Sequence, residues 1–129
     1  MPITREQHHH YQTLARSYLD RAGIVLTPAE AANIEIADLG LGEFETTGLA
    51  LVTYINTQRC CAKELILLPH QTCPQHFHPQ VGDQPGKEET FRCRWGEVYL
   101  YVTGDPAPNP RAVPPPNRAS TYTVWHEVI

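Results

Sequence analysis

Hydrophobic and polar positions along this chain follow two different periods. In the first stretch Tyr11, Leu14, Tyr18 and Leu19 recur at helical spacing. Thr4 stands three residues before Gln7, the spacing of a capping box, and Gly23 fits a C-terminal stop. Thr27-Pro28-Ala29-Glu30 is a second start signal, with Thr as N-cap, Pro in the first turn and Glu at the third position. It predicts a short helix ending near Asn33.

After these helices the residue types change to strand formers. Residues 48–56 (GLALVTYIN) and 62–69 (AKELILLP) are rich in β-branched and apolar side chains. Residues 89–95, then Gly96, then 97–102 predict a strand, a turn and a second strand. Residues 120–128 alternate as a last strand. Between them lies a proline-rich excursion, 105–118, whose run Pro114-Pro115-Pro116 is expected to be stiff and extended. No internal repeat and no linker interrupts the chain. The pattern predicts one domain of the α+β or mainly β class, with a helical arm over 1–40 leading into antiparallel strands over 45–129.

Composition narrows the function classes. At 129 residues, with 41% hydrophobic and 19% charged positions, the chain has the length and balance of one globular domain. A formal net charge of −4 and only ten Lys plus Arg argue against a nucleic-acid footprint. No apolar run approaches the ~20 residues that span a bilayer, and the first twenty residues hold no apolar signal core, so a cytoplasmic protein is expected. Cys60, Cys61, Cys73 and Cys93 form no CxxC pair and are read as reduced thiols; adjacent Cys60 and Cys61 suit neither a disulfide nor a zinc clamp.

The chemistry concentrates around His76-Phe77-His78. In an extended segment residues two apart share a face, so both imidazoles can reach one ion while Phe77 turns away. A third ligand is expected from a neighbouring strand, and Lys87-Glu88-Glu89 supplies carboxylates after a turn built around Gly82, Pro85 and Gly86. Two surface imidazoles after a proline are the bland alternative. His8-His9-His10 is a different case. Three consecutive helical residues fan over about 200° of arc and cannot share an ion well, so an exposed helical face is expected there.

The string His76-x-His78, ten intervening residues, Glu89, six intervening residues, Gly96 resembles the first motif of the cupin β-barrel. The longer segments 71–79, 86–102 and 121–127 resemble the bacterial D-lyxose ketol-isomerases, a cupin sugar-isomerase family, over about Lys63 to Ile129. The resemblance implies an antiparallel cupin-type barrel with N-terminal helices, and His76, His78 and Glu89 as metal ligands. The spacing to Gly96 favours Glu89 over Glu88, and strand alternation would turn Glu88 away. The resemblance also implies two lysines near the sugar, Lys63 and Lys87; Lys87 further shares a strand face with Glu89. Manganese is the implied ion, with Zn²⁺, Co²⁺ and Fe²⁺ as alternatives that suit the same donors. A small sugar is the implied substrate and a homodimer the implied assembly, without nucleic acid or membrane.

Two features of the family have no counterpart up to Ile129. These are the histidine of the second cupin motif and a C-terminal acidic residue proposed to act in proton transfer. The resemblance therefore implies an incomplete barrel lacking its last strands, a fragment or a shortened paralogue. His126 is not expected to replace the missing histidine, because the family carries the same Trp-His-Glu string upstream of its own ligand. Tyr99, Tyr101, Tyr122 and Trp125 are expected in the core or barrel wall, and Arg92 and Arg94 on the opposite face from Glu89.

The expected reaction moves a hydrogen between C1 and C2 of an aldose, giving D-xylulose from D-lyxose or D-fructose from D-mannose; an enediol path and a hydride shift both remain open. A divalent ion polarises the carbonyl, and a nearby lysine stabilises negative charge developing on oxygen. Two further readings stand beside it. One is a non-catalytic cupin fragment that binds metal or sugar, or pairs through an unfilled barrel edge. The other is a cupin dioxygenase, because two histidines and a carboxylate also form the facial triad of non-haem iron enzymes.

Overall fold

The computed structural model describes residues 2–121 and 126–128, with the backbone alone at 119–121 and 126. The chain divides into two units, Met1–Cys73 and Pro74–Ile129.

In the first unit, helix α1 (Arg5–Arg21) begins where Thr4 and Gln7 satisfy each other's backbone N–H groups: Gln7 N–H donates to Thr4 Oγ1 at 3.1 Å and Thr4 N–H to Gln7 Oε1 at 2.9 Å. Its end is a Schellman motif. Gly23 takes φ +70°, its N–H donates to the Asp20 carbonyl, and the Ile24 N–H donates to the Leu19 carbonyl at 2.9 Å. The turn also folds Ile24 into the same buried cluster as Leu19. Helix α2 (Pro28–Ala32) repeats the logic with Thr27 and Glu30 and is capped at Asn33.

Three antiparallel strands follow in the order β1 (Glu35–Ala37), β2 (Leu49–Asn56) and β3 (Cys61–Ile66). Gly48 precedes β2 at φ +146°, where a Cβ would overlap the carbonyl oxygen of Ala37, so only glycine lets the chain enter beside β1. The core joins one face of α1 (Tyr11, Ala15, Leu19) to Ile24, Ile34, Phe44, Ala50, Val52 and Ile66. Burying each large member contributes about 1.5–3 kcal/mol. Gln71 is buried too; its side chain accepts from the Leu68 N–H and donates to the Phe44 carbonyl, closing the loop after β3.

The second unit is built differently. Among the described residues its regular structure is one strand pair, β4 (Leu100–Val102) with β5 (His126–Val128), and a 3₁₀ helix, Pro116–Thr121. Apart from Pro115, every buried apolar side chain among the described residues lies at or before Ile66, whereas Phe77, Val81, Phe91, Trp95 and Val113 of this unit are exposed. The protein is thus made of small antiparallel sheets with a few helices, and the described residues form no closed barrel.

Three strand expectations need correction. Residues 89–95 are exposed and form no strand, and 97–102 narrows to Leu100–Val102. Strand propensity has no effect without a paired neighbour, and β5 offers β4 only three residues. Of the last strand expected over 120–128, residues 120 and 121 instead belong to a 3₁₀ turn in which the Arg118 N–H donates to the Pro115 carbonyl, residues 126–128 form β5, and 122–125 lie outside the described residues. Tyr122 and Trp125, expected in a barrel wall, lie outside the described residues. No helix among the described residues is long and apolar enough to cross a membrane.

Candidate metal centre

His76 and His78 flank Phe77 in a segment without regular secondary structure, bracketed by Pro74 and Pro79. A carbonyl oxygen can only accept, so the 2.8 Å contact between His76 Nδ1 and the Pro74 carbonyl is an Nδ1–H donation. In the neutral ring that donation leaves the lone pair on Nε2, and it fixes the ring's orientation in the way ligating histidines are commonly held. The two imidazoles lie edge to face, with ring centroids 5.5 Å apart and planes at 89°.

Glu89 completes the group. Its Oε1 accepts from His78 Nε2 at 3.0 Å, and one donor atom from each of His76, His78 and Glu89 lies within 4.8 Å of the others. Among the described residues no other set of three histidine, cysteine or acidic side chains converges in this way. Their solvent exposure bears on why they meet. The side chains of His78 and Glu89 remain 43% and 40% accessible, and ion pairs at that exposure contribute only about 0–1 kcal/mol. Stability is therefore a weak reason for the convergence. Two imidazoles and a carboxylate offer donors that suit first-row divalent ions, and the residues fit such a group.

The remaining candidates are not among the three converging donors. Glu88 and Lys87 are exposed on the segment that delivers Glu89. Glu89 joins the histidines without a paired strand, so the alternation argument against Glu88 does not apply even though the choice of Glu89 agrees with the convergence. Lys63 is exposed on β3, opposite Thr53, in the first unit. His8, His9 and His10 are exposed on α1, as expected for a helical face. The side chain of His126 lies outside the described residues.

The Pro74 carbonyl was invisible to motif reasoning, since any residue type presents one. A second carboxylate system lies at the other end of this unit. Glu127 Oε2 accepts from the Tyr101 hydroxyl and from the Arg111 N–H, and these bonds hold its carboxyl below its ordinary range. Burial, and then the bond to Glu127, push the Tyr101 phenol up. Tyr99 donates to Glu97 at 2.6 Å, and that bond leads the rise of its own phenol.

Comparison with protein-family models finds no match for the chain. Comparison with curated proteins finds close relatives. A D-lyxose ketol-isomerase of Cohnella laeviribosi is 61% identical over 109 residues, covering 84% of this chain and 60% of the relative. A D-lyxose/D-mannose isomerase of Thermosediminibacter oceani is 58% identical over 110 residues, covering 85% and 61%. The chain thus spans about three fifths of the length of these two relatives. A D-lyxose ketol-isomerase of a Thermofilum species is 49% identical over 127 residues, covering 98% of this chain and 71% of its own. With identity at that level across nearly its whole length, the chain belongs to the D-lyxose ketol-isomerase family.

Proposed function

We propose that the protein is a metal-dependent aldose–ketose isomerase that interconverts D-lyxose and D-xylulose, with D-mannose and D-fructose as a second pair. The observation that carries the reading is the convergence of His76, His78 and Glu89 donor atoms within 4.8 Å in a chain of this family. Relatives named for D-lyxose and D-mannose support the substrate class. The fold in this reading is a cupin barrel.

In the proposed site, His76 through Nε2, His78 and Glu89 hold a divalent ion, Mn²⁺ first among the candidates. When bound, that ion would supply a Lewis acid for the sugar carbonyl. The Pro74 carbonyl keeps the His76 ring aimed. Lys87, two residues before Glu89, brings a cationic head toward the sugar oxygens, where a fixed positive charge favours negative charge developing on oxygen. Lys63 is assigned the same task on the family resemblance alone. The exposed apolar side chains of the second unit offer surface for a homodimer.

The test is direct. The chain is supplied with Mn²⁺ and incubated with D-lyxose or D-mannose, and ketose is measured. Formation of D-xylulose supports the isomerase. Stoichiometric metal uptake without ketose would replace it with a binding protein, and oxygen consumption without ketose would point to the dioxygenase reading.

A further inference from the structure

The ten residues between His78 and Glu89 must return the chain to where it left, or the carboxylate cannot meet the imidazole. The first part of the return is a tight turn. Val81 and Gln84 exchange two backbone hydrogen bonds at 3.0 Å around Gly82 and Asp83, and the Gln80 side chain donates to the Gly82 carbonyl at 2.8 Å. Gly82 sits at φ +58°, with open space where a side chain would be. Gly86 differs in both respects. It is not among the glycines with positive φ, so its conformation does not require glycine. Its surroundings do: a Cβ there would overlap the carbonyl oxygen of His78 and lie 3.2 Å from the His78 carbonyl carbon and 3.4 Å from that of Pro79. The returning chain lies flush on the backbone of the ligand it is returning to.

We propose that Gly86 is a positioning residue for the metal centre, its missing side chain setting the approach of the Glu89 segment to His78. This rests on reading His76, His78 and Glu89 as a cation site. The obstacle at Gly86 is backbone, not the far end of a flexible side chain. A methyl group there forces the two backbones apart by about 1 Å, since non-bonded heavy atoms settle beyond 3 Å. Metal–ligand distances tolerate only about 0.2 Å. Glu89, three residues on, would carry part of that displacement away from His78.

The test uses the 129-residue chain, Gly86→Ala, and Gly82→Asn as a control that keeps the left-handed turn residue without touching His78. Imidazole ¹H–¹⁵N spectra of the metal-free proteins report the His78–Glu89 hydrogen bond, and Mn²⁺ titration reports affinity. The expected result is that Gly86→Ala moves the His78 ring signals toward those of a free imidazole and weakens Mn²⁺ binding about 10- to 100-fold. Gly82→Asn leaves both unchanged, and the amide signals of Arg111 and Ala112, bonded to Glu127 and Tyr101 in the same unit, stay in place in all three proteins. In a Glu89→Gln background the effect of Gly86→Ala on affinity disappears, because its route has been removed.

Unmoved His78 signals in Gly86→Ala overturn the proposal. So does collapse of the Arg111 and Ala112 amide signals, which would make Gly86 a residue that holds the fold of its unit and not the pair. If the parent chain takes up no Mn²⁺ while the His78 signals still respond to Gly86→Ala, the positioning role stands and the metal reading falls.

Discussion

The hydroxyl of Tyr101 donates to Glu127 Oε2 at 2.5 Å, across a register pair of β4 and β5. The same oxygen accepts the Arg111 N–H at 2.7 Å, and the Tyr101 oxygen accepts the Ala112 N–H at 3.0 Å. The Arg111 Nε lies 3.9 Å from the other carboxylate oxygen. One carboxylate thus ties the proline-rich segment to a strand pair only three residues long, in a unit with no hydrophobic cluster of its own among the described residues.

The pH dependence of that tie follows from the directions of the two shifts. Hydrogen bonds lower the Glu127 value in the folded state. Its contribution is therefore complete above the ordinary carboxylate range and lost as the pH falls through the lowered value. The Tyr101 phenol is raised, so its contribution is complete below 10.0 and lost as the pH rises through the raised value. The amide resonances of Arg111 and Ala112 should hold their positions between about pH 6 and 9. They should move together in acid, and again in strong alkali. Glu127→Gln should remove the acid transition. Movement of these amides near neutrality, in step with a histidine, would contradict the assignment.

Metal uptake discriminates among the neighbouring candidates. His76→Ala and His78→Ala each remove one of three donors, and neither should retain stoichiometric Mn²⁺ after dialysis. Glu88→Ala should retain it, since Glu88 lies outside the converging group. Elemental analysis of the three variants decides. Metal kept by His78→Ala would refute the ligand assignment.

The parts of this structure that were legible in advance are those written in short-range chemistry. Thr4 with Gln7, Thr27 with Glu30, and Gly23 at a helix end act within five residues, and their residue types state their roles. Strands β2 and β3 carry enough apolar β-formers to be seen. The convergence of His76, His78 and Glu89 was legible because groups that could hold a cation must be particular residue types at workable spacing. What escaped depends on distant partners. Strand β1 is three residues long and exists because β2 pairs with it. Residues 89–95 have strand composition and no strand, because pairing is a property of two segments. Gly86 resembled any turn glycine until the His78 carbonyl lay against it.

The first unit's stability should depend on the end of α1 more than on its start. Leu19 is buried and meets Ile24 beyond the Schellman turn, so Leu19→Ala loses both burial and fit, about 3–5 kcal/mol. Gly23→Ala must hold alanine at φ +70°, at about 1–2 kcal/mol. Thr4→Ala removes one capping acceptor on an exposed first turn, about 1 kcal/mol. Denaturant unfolding of the three variants should rank them in that order. A Thr4→Ala cost equal to that of Leu19→Ala would mean that α1 is held by its cap and not by its buried face.

Lys87 offers the sharpest test of catalysis as distinct from binding. It is exposed two residues before Glu89, a position equally natural for a solvated side chain. If its ammonium acts on developing oxygen charge, Lys87→Met should lower kcat for D-lyxose about 10²-fold. Mn²⁺ affinity should be unchanged, because Lys87 supplies no donor to the ion. Glu88→Ala, one residue away on the same exposed segment, should leave kcat alone. Loss of metal in Lys87→Met would show that the substitution disturbs the segment carrying Glu89. Unchanged kcat with metal retained would remove Lys87 from the mechanism and leave it a surface side chain.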